Sequence, residues 1–270
     1  MIVSKARTKI VNSSLPVLNL SPEEEFILRK QPSGWISSAN GLISDDGTNV
    51  KLILDRGGNE NWAPLMSNMP RKAFSNGKLI LNFGTPGGVP SPTNNGSVIS
   101  QNGHEALPAN GVMTVAALYR IPTGLTGGNL FGNNAAVPDR LRAKFGTDGY
   151  GGTNVWINHG TESPISDNNY PINAAFSFRD NAWHIALIEI NAGMHRWEHD
   201  GTLLQQKSVG AIPFTTADSR RLVVGSAGNP IATGFVGDLA ELLVIPSTID
   251  SVTKTVIYSW LNARKASLTV

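Results

Sequence analysis

The last third of the chain, residues 183–266, limits the fold more than any other stretch. The run WHIALIEIN is β-branched and apolar on both faces and too short for a free-standing helix. It suits a central sheet strand covered on both sides. Ala192-Gly193 and Asp200-Gly201 are two-residue turns of the kind that needs positive φ, so residues 194–199 should pair with both neighbours as a meander. After Pro213, residues 221–225 and 235–245 read as two further strands. Val252, Val256, Ile257, Trp260 and Leu261 then recur at helical spacing behind a candidate N-cap, Asp250, which predicts a helix over residues 251–265. Lys254, Arg264 and Lys265 fall on or beyond the other face, and the basic pair suits a helix C-terminus.

Upstream, strands are expected near 51–54, 78–83, 113–121, 129–131, 140–145, 155–158 and 174–178. Glycine, proline, asparagine and serine recur as turn punctuation about every ten residues, which is the all-β pattern. No stretch divides two independent cores, so 270 residues read as one large sandwich. The expected organisation is an N-terminal arm, residues 1–31, followed by a β-sandwich over 32–270. The arm carries Leu15-Pro16-Val17-Leu18 and the acidic Glu23-Glu24-Glu25. Between 83 and 114 lies a segment dense in turn formers, readable as a contact loop or as a mere insertion.

Particular motifs carry a resemblance. Trp183, His184 and Ala186 followed by the Asp200-Gly201 turn, then Phe235, Gly237, Leu239, Ala240 and Glu241, then Trp260-Leu261, are similar to the laminin G-like branch of the concanavalin A-like lectin/glucanase superfamily. The stretch VKLILDRGGNEN at 50–61 is similar to the strand, Asp and Gly/Asn turn of phage and bacterial versions. The resemblance implies an all-β fold: a two-sheet antiparallel jelly-roll sandwich, concanavalin A-like, with one C-terminal α-helix. The matching residues are turn and core positions, so they specify a fold and hardly a ligand.

Composition removes several function classes. A formal net charge of +2 gives no concentrated basic patch for nucleic acid. Lys5, Arg7 and Lys9, like Arg140, Arg142 and Lys144, read as solvated faces. With no cysteine there is no disulfide framework, no cysteine-zinc site and no thiol nucleophile. The first twenty residues lack the apolar core of a secretory signal, and no segment reads as membrane-spanning. Charged residues make up 16% of the chain, against roughly 25% in ordinary soluble domains. The surface is therefore rich in Asn, Ser, Thr and Gly, which suits glycan contact, packing in an assembly, or any loop-rich β protein.

Catalysis finds little support. A retaining glycosidase needs two carboxylates about 5–5.5 Å apart, and the Glu-x-Asp-x-x-Glu run of the glucanase branch is missing. Asp238 and Glu241, three apart, are expected on opposite faces of a regular strand. Hydrolase elbows, phosphate loops and His-Glu-x-x-His motifs are also absent from the sequence. His184 reads as a hydrogen-bonding structural histidine. His195 and His199 are expected roughly 13 Å apart along one strand, too far to share a metal. No metal site and no cofactor are expected; calcium at Asp148, or at Asp167 with Asn168, rests on the resemblance alone. The segment from Asp148 to His159 combines flat aromatics with amides, the chemistry that reads a sugar. Tyr150, Asn154, Trp156, Asn158 and His159 are the candidate glycan ligands, with Trp156 as a core residue the competing reading. Trp62 and Trp197 are further aromatic candidates.

The expected function is a non-enzymatic bacteriophage virion protein, for host-surface adhesion or particle decoration. It would be made in the host cytoplasm and belong to an oligomer or large assembly, touching other virion proteins through its arm and a host-surface glycan through its sandwich. No nucleic acid and no membrane insertion are expected. The alternatives are a free-standing lectin domain and a glucanase-like hydrolase.

Overall fold

The computed structural model describes residues 20–38, 43–45, 47, 50–57, 62–64, 70–84, 98–100, 105–123, 128–133, 135, 141–145, 154–159, 169–173, 178–191, 194–208, 213–225 and 234–269. They form two antiparallel sheets with a helix at the C-terminal end, as the sequence predicts. The first sheet runs in the order β15 (Thr202–Ser208), β14 (Met194–His199), β13 (Trp183–Asn191), β8 (Met113–Arg120), β17 (Asp238–Ile245), β6 (Lys78–Asn82) and β5 (Arg71–Ser75). A further strand, β1 (Gly34–Ser37), also pairs with β17. The second runs β12 (Asn169–Asn173), β11 (Asn154–His159), β10 (Leu141–Phe145), β9 (Gly128–Asn133), β16 (Leu222–Val224), β7 (Val98–Ser100), β4 (Trp62–Pro64), β3 (Val50–Ile53) and β2 (Ile43–Asp45).

Strand alternation divides the apolar residues between two cores. Ala186, Ile188 and Ile190 of β13 and Val115, Ala117 and Tyr119 of β8 pack with Leu130, Phe131, Leu141, Ala143 and Ile157 of the second sheet, filling the sandwich. The other faces of the same strands, with Ile185, Leu187, Ala116 and Leu118, meet a second core. That core is roofed by two helices, α1 (Pro22–Arg29) and α2 (Ser251–Leu268). A strand buried on both faces reads as the unbroken apolar run seen at 183–191.

Of the two turns expected in the meander, Ala192-Gly193 lies outside the described residues and Asp200-Gly201 forms as expected. Asp200 and Gly201 both hold positive φ, 46° and 82°, closing the β14–β15 hairpin. Gly237 is fixed by crowding instead: a Cβ there would sit 2.5 Å from the Arg120 carbonyl oxygen. Asp250 caps α2, its Oδ1 accepting from Thr253 N–H at 2.6 Å.

Within the stretch expected as an arm, Ser21 and Glu24 form a capping box, and the helix they start buries Ile27 in the second core. Residues 1–19 lie outside the described residues. Of the strand expected at 174–178, residues 174–177 lie outside the described residues, and Phe178 is a buried residue of a bend; a strand precedes them at Asn169–Asn173. Part of the 83–114 segment is ordered sandwich, with β7 in the second sheet and Leu107 in the core.

Helix α2 docks through Ile257, Trp260, Leu261 and Leu268, whereas Val252 is 62% exposed. Trp260 meets the fully buried Trp35 edge to face, ring centroids 5.2 Å apart. The basic residues of α2 are paired, although the Lys254 and Lys265 side chains stay 30% and 31% exposed. Lys254 reaches Glu198, Arg264 Nε donates to Glu241 at 3.1 Å, and Lys265 Nζ lies 3.0 Å from Asp200 Oδ1.

Candidate functional site

The sandwich edge built by β10, β11 and β12 carries most of the predicted ligand residues. Ile157 is buried in the sandwich core, as are Leu141 and Ala143 of β10. By the two-residue period of a strand, positions 154, 156 and 158 fall on the face of β11 opposite Ile157. Register extends that face across three strands. Trp156 stands opposite Lys144 and Pro171, Asn158 opposite Arg142 and Asn169, and Asn154 opposite Asn173. By register, positions 142 and 144 of β10, 154, 156 and 158 of β11, and 169, 171 and 173 of β12 belong to one face of the sheet. His159 alternates onto the Ile157 face and pairs with Leu141, so it is not part of this group. Tyr150 lies outside the described residues, as do Asp148, Asp167 and Asn168.

The other aromatic candidates are removed. Trp62 and Trp197 are both 0% exposed in the sandwich core, so neither can lie beneath a pyranose. Trp62 instead donates its Nε1–H to Asp55 Oδ2 at 3.0 Å, and the same oxygen accepts from Trp35 N–H at 2.8 Å.

A second polar constellation sits where β13 begins and β14 ends. His184 Nδ1 lies 2.8 Å from Asp200 Oδ2, and its Nε2 lies 2.9 Å from Asp180 Oδ1. Two carboxylate acceptors require two ring protons, so His184 is an imidazolium here. Burial pushes its pKa down, but the hydrogen bonds and charges of Asp200 and Asp180 outweigh burial and raise it. His199 stacks on it with ring centroids 4.6 Å apart and has the opposite fate. Burial, then the charge of His184, hold its pKa down at about 4, leaving it neutral. Its Nδ1 lies 3.2 Å from the Tyr119 hydroxyl. Burial alone would raise the Asp200 carboxyl. Bonds from His184, the Ile185 N–H and Lys265 hold it well below the ordinary carboxylate range.

The hairpin register explains this meeting. Ala186 pairs with His199, so Asp200 arrives beside Ile185 and His184. The Trp-His and Asp-Gly motifs of the sequence are two halves of one hydrogen-bonded unit.

The carboxylates considered for hydrolysis are committed elsewhere. A register shift between Leu239 and Glu241 breaks the alternation of β17, contrary to the regular strand expected. Asp238 bonds Arg120, whose guanidinium lies over Trp183 on the helix side, and Glu241 bonds Arg264 of α2. Both therefore address the helix-covered face rather than opposite faces. Asp238 is held by Arg120 at 2.7 Å and Asn82 at 2.7 Å. Glu241 is held by Arg264 and Ser37, each at 3.1 Å. Glu198, 1% exposed, is shared by Arg196, Lys254 and Tyr258.

No family model matches the chain, and no curated protein does. Solved structures do. Domain 4 of AbnA, a GH43 extracellular arabinanase from Geobacillus stearothermophilus in complex with arabinotriose, is similar at TM-score 0.59 and 13% identity, over 84% of this chain and 98% of that one. A GH54 α-L-arabinofuranosidase is similar at TM-score 0.61 and 11% identity, over 87% of this chain and 63% of that one. The binding domain of botulinum neurotoxin DC, in complex with rat synaptotagmin II, is similar at TM-score 0.56 and 10% identity, over 88% of this chain and 52% of that one. The chain thus spans nearly the whole arabinanase domain but about half of the toxin binding domain. At such identities the likeness is one of fold: the chain is an antiparallel β-sandwich of the kind these carbohydrate-related and receptor-binding domains share.

Proposed function

We propose that this chain is a non-enzymatic, lectin-like sandwich that binds a glycan through the β10–β12 face, as part of a bacteriophage virion that engages its host surface. The observation that carries the reading is the placement of Trp156 among Asn154, Asn158, Asn169 and Asn173 on the strand face opposite buried Ile157. A tryptophan offers a flat apolar surface to a sugar ring, and amides supply both donors and acceptors for hydroxyls. Arg142 and Lys144 border that face, so an acidic or sulfated sugar would also be accommodated. The arabinotriose in the arabinanase domain supports a sugar ligand for a sandwich of this shape. The non-enzymatic part is supported by the ion pairs that occupy Asp238, Glu241 and Glu198.

The virion assignment draws on the similarity of the 50–61 stretch to phage and bacterial versions of the fold, with residues 1–19 proposed as the segment that meets other virion proteins. Binding is tested by glycan array followed by calorimetry on wild type and Trp156→Ala. A bound oligosaccharide lost in the variant is expected; a hit retained in full by the variant rejects the face. Release of reducing sugar by the wild type would reject the non-enzymatic reading. Truncation to residue 20 is expected to leave a folded domain that no longer enters particles, and normal entry would reject the tether.

A further inference from the structure

The histidine unit at the end of the β13–β14–β15 meander has a use beyond holding the hairpin. We propose that His184, His199 and Asp200 bind a divalent transition-metal ion of the Zn²⁺ class. One donor atom from each of the three lies within 4.8 Å of the others. A tetrahedral zinc ion with bonds near 2.0–2.2 Å sets its ligand atoms about 3.3 Å apart. The existing spacings straddle that value, with His184 Nδ1 at 2.8 Å and His199 Nε2 at 3.6 Å from Asp200 Oδ2. The third spacing, between the two imidazole nitrogens, is no more than 4.8 Å, and side-chain rotation has to close it to about 3.3 Å.

What surrounds these atoms matches a metal site more closely than a hairpin clamp needs. A ligating histidine normally donates its other ring N–H to a carboxylate or another oxygen, which fixes its orientation. His184 Nε2 already faces Asp180 Oδ1 at 2.9 Å, and His199 Nδ1 already faces the Tyr119 hydroxyl at 3.2 Å. Both rings are thus aimed with one nitrogen towards Asp200 and one towards a holding partner. Lys265 engages the other Asp200 oxygen, Oδ1, and leaves Oδ2 for the ion. Two imidazoles and one carboxylate select zinc-like ions over calcium, which takes oxygen ligands. On binding, the proton between His184 Nδ1 and Asp200 leaves to solvent, and the metal takes its place. The imidazoles are almost wholly covered, with side chains 9% and 4% exposed, whereas Asp200 is 32% exposed. The ion enters from the Asp200 side, where a water completes the tetrahedron.

The test uses the full chain, dialysed against chelator, and titrates Zn²⁺ by calorimetry with thermal melts alongside. Co²⁺ serves as a coloured probe of low coordination number. One equivalent of Zn²⁺ should bind, raise the melting temperature, and be lost in His199→Ala. Asp180→Ala, which keeps all three ligands, should weaken affinity about 10–100-fold. No binding by the wild type overturns the proposal, as does undiminished binding by His199→Ala. Should His199→Ala fail to fold, Asp180→Ala decides: an unchanged affinity overturns the site, and the stated loss supports it.

Discussion

The two sheets of this sandwich treat polar residues in opposite ways. The outer face of the first sheet is roofed by α1 and α2, and its charges are buried in pairs. Glu24 and Arg56 meet at 2.6 Å, Arg56 lies over Trp35, and Arg264 bridges Glu241 to Ser38. The β10–β12 face of the second sheet gathers uncharged amides around one tryptophan, with basic residues only along β10. Of the carboxylates that resemble catalytic groups in the sequence, Glu198 and Glu241 hold α2 and Asp238 joins β17 to β8 and β6, and the recognition chemistry we propose lies mainly with residues that carry no charge. Buried ion pairs add less net stability than their number suggests, but each is costly to break singly.

The helix-covered face should yield the largest effects. Trp260→Ala removes an aromatic packed against Trp35 and should lower unfolding free energy by about 3–5 kcal/mol, read from denaturant melts. A change below about 1 kcal/mol would mean that α2 does not dock through that stripe.

A smaller effect should appear as pH dependence. Burial raises the Glu241 carboxyl from 4.5 to about 7, against the pull of Arg264 and Arg56. The folded chain then holds a proton that the unfolded chain releases. Its contribution is full below about pH 4.5 and is lost as pH rises through about 7. Relative to Glu241→Gln, the wild type should lose about 3 kcal/mol between those pH values. A constant difference between the two would show that the carboxyl titrates normally. The smallest effect is expected at Val252, where a lysine should change stability by no more than about 0.5 kcal/mol. A larger loss would place Val252 in the core that helical spacing had assigned it.

Legibility from the sequence follows the range of the interactions. The β13–β14–β15 meander and the start of α2 could be read because their signals are local: Asp200-Gly201 sets a turn and Asp250 sets a cap. Helix α1 left a local signal too, the Ser21/Glu24 capping box, but three successive glutamates read as an acidic arm. The Asn76-Gly77 turn between β5 and β6 was likewise available, with both residues at positive φ. Strand β1 was not, since Gly34–Ser37 is buried along its whole length and shows no alternation. The partners of Lys254 and Arg264 were equally out of reach, because each ion pair joins residues brought together only by helix docking. At the candidate site, period two gave the shared face of Asn154, Trp156 and Asn158 but not its orientation. That required the buried positions of Ile157 and its neighbours on β10. It also required the register that adds Asn169 and Asn173.

The central contrast, a structural face and a proposed recognition face, is tested most directly by one paired measurement on Trp156→Ala. Its unfolding free energy and its affinity for the best oligosaccharide from a glycan array should be measured beside wild type. Stability should stay within about 0.5 kcal/mol, as for a substitution outside the core, while affinity falls at least about tenfold, or 1.4 kcal/mol. A variant that loses several kcal/mol of stability, or that binds the sugar as tightly as wild type, would contradict the account.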